Sequence, residues 1–412
     1  MKPGLRKFPY PYRAALAISS DLDNTPDLAT YLALMDYLNG TGETPLGTGL
    51  GLEVGNSFWF YNGSGENGSG ENQLAYFDAA GGTTPFAEVC RQFWLSGHID
   101  TLHTYGNFDN GGFSRSHAER AVEELATQQA RIPVWVNHGT EQNRQNVGHR
   151  ESFAGANPAD PAYHFDLARQ AGLRYFWTGR LTHVLGQDAR QNLALMGQRI
   201  LQEGVRLLKY PFSRGPLFDR RNRLLIPLTL EDGAKVWEFQ RWISSWGEVT
   251  AADVNDLPVQ LGTRQLQGLV RNGGYLIIYT HMGEHLDLAA GLPPELVTQL
   301  HLLQGMQRDG RLLVTTTGRL LRYREVNGEL SWQITTADER AVIEIAPQLD
   351  TPIGSNPLQE RDLQGLTFYI GRAKVAQVRF GGRAVACNLN PADETGRVSV
   401  SIPWLPLEYP RR

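Results

Sequence analysis

The stretch 15-ALAISSDLDNTP-26 decides how the rest of the chain reads. Ala15–Ile18 is a short apolar run, the mark of a buried strand. Asp21 and Asp23 stand where that strand ends, and Pro26 can open a helix. Carboxylates at the carboxyl end of a strand, just before a helix, are where α/β folds put their chemistry. The plainer alternative makes Asp21 a cap of the strand and Asp23 or Asn24 the cap of the next helix. What the other strand ends carry separates the two.

Three further segments have the same form. In 97-GHIDTLHTYGNFD-109 an apolar run is followed by His103, Asn107 and Asp109, with His98 and Asp100 beside it. In 134-VWVNHGTEQNRQN-146 a strand runs straight into Asn137 and His138. In 273-GGYLIIYTHMGEH-285 a strand runs straight into His281. Around these segments, strand-like runs alternate with helical periodicity from residue 14 to about 326, which predicts a parallel α/β architecture. A (β/α) barrel, complete or incomplete, is the expected form, because its strand ends converge on one face. Strands are expected at 51–61, 132–139, 173–179, 205–212 and 222–230. Helices are expected near 27–38, 85–96, 116–131, 163–171, 261–271 and 293–310. The Gly/Asn/Ser tract 62–72 reads as an exposed loop. From about 328 only short strands and turns remain. The expected division is therefore a barrel domain over 1–327 and an all-β sandwich over 328–412.

With 412 residues, 41% of them hydrophobic, the chain can build a large core. Its net charge of −4, from 39 basic and 43 acidic side chains without a long basic run, argues against a nucleic-acid partner. No apolar stretch reaches the roughly 18 residues of a membrane span, and no signal-like segment opens the chain. The default compartment is the cytoplasm; a chain trimmed of its leader would be secreted or periplasmic. Cys90 and Cys387 match no metal or redox spacing and read as buried thiols. The sequence does not fix an oligomeric state.

A carboxylate with two or three imidazoles at neighbouring strand ends suits a divalent transition ion, Zn²⁺ foremost. The ordered set of motifs resembles the NodB-type polysaccharide deacetylases, carbohydrate esterase family 4. "ISSDLDN" resembles their aspartate-rich first motif, with the two aspartates separated by Leu22. "GHIDTLHTYGN" resembles their second motif, with His103 on the first metal histidine and Asn107 on the second. "GGYLIIYTHMG" resembles their last motif, with His281 on the general acid and Met282 in place of an aspartate. The resemblance implies a seven-stranded incomplete barrel and metal-dependent removal of acetyl groups from a glycan. It implies Asp21 as base and His281 as acid, with Asp23 and His103 on the metal; Asp21 and Asp23 can exchange roles. His98 is read as structural.

Asparagine is a poor ligand for a transition metal beside imidazole. Asn107 ligates weakly, or another residue fills its place, or the site has no metal. His138 is the favoured replacement and Asp109 the second. Asn137, Trp177 and Arg180 are the candidate substrate contacts. Two other functions stay open. A metal-dependent glycoside hydrolase would need another carboxylate as nucleophile, from Asp100, Asp109 or Glu141. A metal-free carbohydrate-binding protein would fit Asn107 and Met282.

Overall fold

Ala14–Ser20 (β1) is buried along its whole length, as a strand covered on both faces must be. Its residues alternate between two cores. Ala15 and Ala17 face one that contains Val134, Val136, Tyr175, Trp237, Tyr275 and Ile277. Ala14, Leu16 and Ile18 face one built with Leu34, Leu38, Leu266 and Leu300. The first set is the inside of a curled sheet and the second packs the surrounding helices. Small residues on the inner face leave room for the large aromatic ones opposite.

The computed structural model describes residues 4–62, 74–139, 143–150, 152–189, 195–198, 200–202, 204, 219, 221–244 and 252–410. The expected strand at 205–212, Glu141, and the Gly/Asn/Ser tract beyond Asn62 lie outside them. Strands Gly55–Phe58 (β2), Ile99–His103 (β3), Val134–Val136 (β4), Tyr175–Trp177 (β5), Lys235–Phe239 (β6), Tyr275–Thr280 (β7) and Leu312–Thr315 (β8) follow β1. They belong to one eleven-stranded sheet among the described residues, in the order β6-β5-β4-β3-β2-β1-β7, and each of these neighbours is parallel. β8 pairs with the first half of β1 and β2 with the second half. Where one hands over to the other, a Cβ on Gly55 would come within 3.3 Å of the Thr316 side chain, so the glycine permits the crossing. Leu225–Thr229 flanks β6 as an antiparallel hairpin partner. Two short strands, Leu181–Thr182 and Arg241–Trp242, continue the lines of β5 and β6. They pair with each other, and Trp242 pairs with Ile278 of β7. The sheet thus curls into a partial barrel.

Helices Leu28–Asn39 (α1), Pro85–Ser96 (α2), Arg115–Thr127 (α3), Phe165–Gln170 (α4), Thr263–Asn272 (α5), Pro294–Arg308 (α6) and Thr317–Glu329 (α7) connect the strands. Their ends follow local rules. Asp27 caps α1 by accepting from the Thr30 N–H at 2.7 Å. Pro85 opens α2, and Gly97, in the left-handed region at φ 80°, closes it. None of these helices is long and apolar enough to cross a membrane.

After α7 the chain forms two four-stranded sheets and a small hairpin. Trp332–Ala337, Arg340–Ile345, Val375–Phe380 and Arg383–Val385 make one sheet. Thr367–Tyr369, Ser399–Ser401 and Asn388–Asn390 make the other, completed by Gly4–Leu5 from the start of the chain. Leu320, Leu321 and Val326 of α7 pack in one core with Ile343, Leu349, Phe368 and the barrel interior. Cys90 is a buried thiol, while Cys387 is only half-buried; both are free.

Candidate metal centre

Period-two alternation positions the site. On β1 the inward residues are 15, 17 and 19, and the same parity carried past the strand end gives Asp21 and Asp23. Leu22, between them, packs outward into an apolar core. The Asp-Leu-Asp spacing thus turns both carboxylates to one side. Likewise Val134 and Val136 lead to His138, Trp237 and Phe239 lead to Arg241, and Tyr275 and Ile277 lead to Tyr279 and His281. The ladders bring these ends level: Asp21 N–H donates to Thr280 O at 2.8 Å, and Thr104 N–H to Val136 O at 3.0 Å.

Asp23, His103 and His138 come together. Asp23 Oδ2 lies 3.3 Å from His103 Nε2 and 3.2 Å from His138 Nδ1. The two nitrogens are 3.0 Å apart. Donors about 2.0–2.1 Å from a tetrahedral ion stand about 3.3 Å from one another, so this triangle has the size of three ligands around one cation. Trp59 stacks parallel to His103, with ring centroids 5.8 Å apart, and meets His138 edge-on at 5.2 Å. The rings are therefore held by packing as well as by charge.

Asp21 is 0% exposed, and neither of its oxygens has a hydrogen-bond partner among the described residues. Its Oδ2 lies 3.7 Å from His103 Nε2 and 3.6 Å from Arg241 Nη1. Arg241 is itself buried, its guanidinium between the rings of Trp177 at 4.5 Å and Tyr279 at 4.3 Å. Burial opposes charge on the imidazole of His103, but Asp21 and Asp23 outweigh it and push its pKa up to about 9. Burial raises Asp23, yet His103 and His138 outweigh it and hold the carboxyl well below its ordinary range. Unpartnered buried carboxylate oxygens and an imidazole that retains its proton both mark a place where positive charge is wanted. The donor set fits a divalent transition ion.

His281 lies at the rim of this group, its Nε2 3.8 Å from Asp23 Oδ2. Tyr279 Oη is 2.8 Å from the same nitrogen, and Glu284 Oε2 is 3.2 Å from Nδ1. The carboxylate beside His281 therefore comes from Glu284, three residues on, while Met282 is buried in an apolar core. Asn107 is not turned to the triangle: its Oδ1 accepts, at a long 3.4 Å, from the Asp109 N–H.

The other candidates have internal partners. Asn137 accepts from Trp135 Nε1 at 2.8 Å and donates to Val147 O at 2.7 Å, which pins the following loop. Arg180 pairs with buried Glu238 at 2.7 Å. Trp177 walls the site through Arg241. Asp100 accepts from the Gly318 N–H at 2.6 Å and so caps α7, away from the site. The helix cap after β1 is Asp27, not Asp23 or Asn24. His98 lies beneath Tyr409, bonded to Ser96 Oγ at 2.9 Å. His164, which precedes α4, is wholly buried and meets Gln145 O at 2.7 Å.

Sequence reading missed Arg241, Tyr279 and Glu284. Arg241 follows a strand absent from the expected set, although Asp232-Gly233 before "AKVWEFQRW" is a hairpin signal. The chain matches no family model, no curated protein and no solved structure in comparisons with each.

Proposed function

We propose that the protein is a metal-dependent hydrolase that removes acetyl groups from a glycan, in the manner of the NodB-type deacetylases it resembles. The observation that carries this reading is the Asp23–His103–His138 triangle beside the unpartnered carboxylate of Asp21. Counting β5 and β6 with their continuations, the pairings from β1 through β7 trace a ring of seven strand positions, which supports the resemblance.

Asp23, His103 and His138 would hold a divalent ion, Zn²⁺ foremost. Such an ion would supply Lewis acidity, polarising an acetyl carbonyl and lowering the pKa of a water molecule. Asp21, whose carboxylate lies 3.6 Å from the Arg241 guanidinium, would be the general base. His281 gives a proton to the departing nitrogen or oxygen of the sugar, with Glu284 fixing its ring. Trp177 and Tyr279 hold the Arg241 guanidinium between their rings and so fix it beside Asp21.

The test is metal content of protein purified without added metal, in wild type and His103→Ala, followed by acetate release from acetylated glycans. About one equivalent of metal in wild type, lost in the variant, with acetate and no reducing sugar released, supports the reading. No metal, and none taken up from Zn²⁺, Co²⁺ or Ni²⁺, sinks it and leaves a metal-free glycan-binding protein. Reducing sugar in place of acetate makes it a glycoside hydrolase.

A further inference from the structure

His138 presents two ring nitrogens to two different partners. Nδ1 faces the triangle, 3.2 Å from Asp23 Oδ2 and 3.0 Å from His103 Nε2. Nε2 faces Asp109 Oδ2 at 3.5 Å. A neutral imidazole has one N–H and one lone pair, so the partner of one nitrogen decides what the other can do. We propose that Asp109 is the positioning residue for His138, keeping Nε2 protonated so that the Nδ1 lone pair is turned to the cation. The proposal rests on the metal-binding reading above.

The surroundings are built to hold Asp109 there. Its Oδ1 accepts from Asn143 Nδ2 at 3.0 Å. Its backbone N–H donates to Asn107 Oδ1, closing a short turn. Gly139, at φ 64°, lies against it, and a Cβ there would fall 1.9 Å from Asp109 Oδ2. Only glycine at 139 allows the carboxylate to approach. Asn146 fixes the backbone of His138 from the other side, accepting from its N–H at 3.1 Å and donating to its C=O at 3.0 Å. The departure at Asn107 thereby acquires a role. Where the resembling family has a second metal histidine, this chain has a turn former, which presents the carboxylate that orients a histidine on the next strand.

The test titrates metal-free protein with Co²⁺ and with Zn²⁺, in wild type, Asp109→Asn, Asp109→Glu and Asn143→Ala. The readouts are affinity by calorimetry, the visible Co²⁺ spectrum, and the ring ¹⁵N shifts of His138 before metal is added. Asp109→Asn is expected to weaken both ions roughly 10–100-fold and to mix the two His138 tautomers, with an unchanged melting temperature. Asp109→Glu recovers part of the affinity, and Asn143→Ala shows a smaller loss. Should Asp109→Asn fail to fold, Asn143→Ala decides alone. Wild-type affinity and an unmixed tautomer in the variants overturn the proposal while leaving the metal centre standing. Wild type that binds neither ion overturns the metal centre and the proposal with it.

Discussion

Two buried carboxylates sit at opposite ends of the barrel and are treated in opposite ways. Glu325, below, is 0% exposed and saturated: Arg174 Nε at 3.0 Å, Tyr175 Oη at 2.5 Å, Trp237 Nε1 at 2.6 Å and Arg322 Nη1 at 2.9 Å all donate to it. Burial raises its pKa, but Arg174, Tyr175 and Arg322 outweigh that and hold it below the usual range. Asp21, above, is equally buried and receives no hydrogen bond among the described residues. Buried polar groups are normally satisfied, so an unsatisfied one needs a reason. The saturated carboxylate locks α7 under the barrel; the unsaturated one is kept open for something that arrives later.

The contrast breaks most easily at its stable end. Glu325→Gln leaves two guanidinium groups facing a neutral partner and is expected to cost about 3–5 kcal/mol in urea denaturation. A loss under about 1 kcal/mol, within the range of an ordinary surface change, would remove the contrast. Asp21→Asn is the counterpart. It is expected to cost less than Glu325→Gln, about 1–3 kcal/mol: no hydrogen bond is lost, but buried Arg241, 3.6 Å away, then faces a neutral amide. Bound metal stays, while acetate release falls roughly 10²–10⁴-fold, the share of a general base. Loss of metal instead would make Asp21 a ligand and exchange its role with Asp23. A third effect is a pH dependence of the metal-free protein. The pKa of His103 is pushed up to about 9 in the fold, against about 6.5 in an unfolded chain. A raised pKa adds stability that is complete below the unfolded value and disappears as pH rises through the folded one. The melting temperature of metal-free wild type should therefore fall between about pH 6.5 and 9. His103→Ala should lack that fall.

Much of the fold is legible in the sequence because buried parallel strands are apolar runs, as β1 and β7 show. The site is legible where a polar group directly follows such a run, as with Asp21, His138 and His281. Arg241 is not, because its strand mixes Lys235, Glu238 and Gln240 with its inward Trp237 and Phe239, which hides the run. Nor can motif spacing say which imidazole fills the place left by Asn107, since that depends on the register between β3 and β4, where His103 is opposite Val136. Inward parity, extended beyond each strand, would have identified Arg241 once its strand was recognised. The burial of His164 has no local signal at all, because it comes from Trp135, Tyr105 and Phe113, which are distant in sequence.

The chain is also stitched across the boundary between barrel and β unit. Gly4–Leu5 joins the sheet of Thr367–Tyr369 before β1 begins. In return, the segment after Trp404 runs back along the barrel, where Leu407 N–H donates to Glu53 at 2.9 Å and Tyr409 Oη to Asp36 at 2.8 Å. Each unit therefore holds a strap that belongs, by chain order, to the other. A cut at residue 328 would leave Gly4–Leu5 without its sheet and Glu53 without Leu407, so neither half would be whole. Unfolding of one unit pulls directly on the other, and heat is expected to melt the two together in one cooperative step.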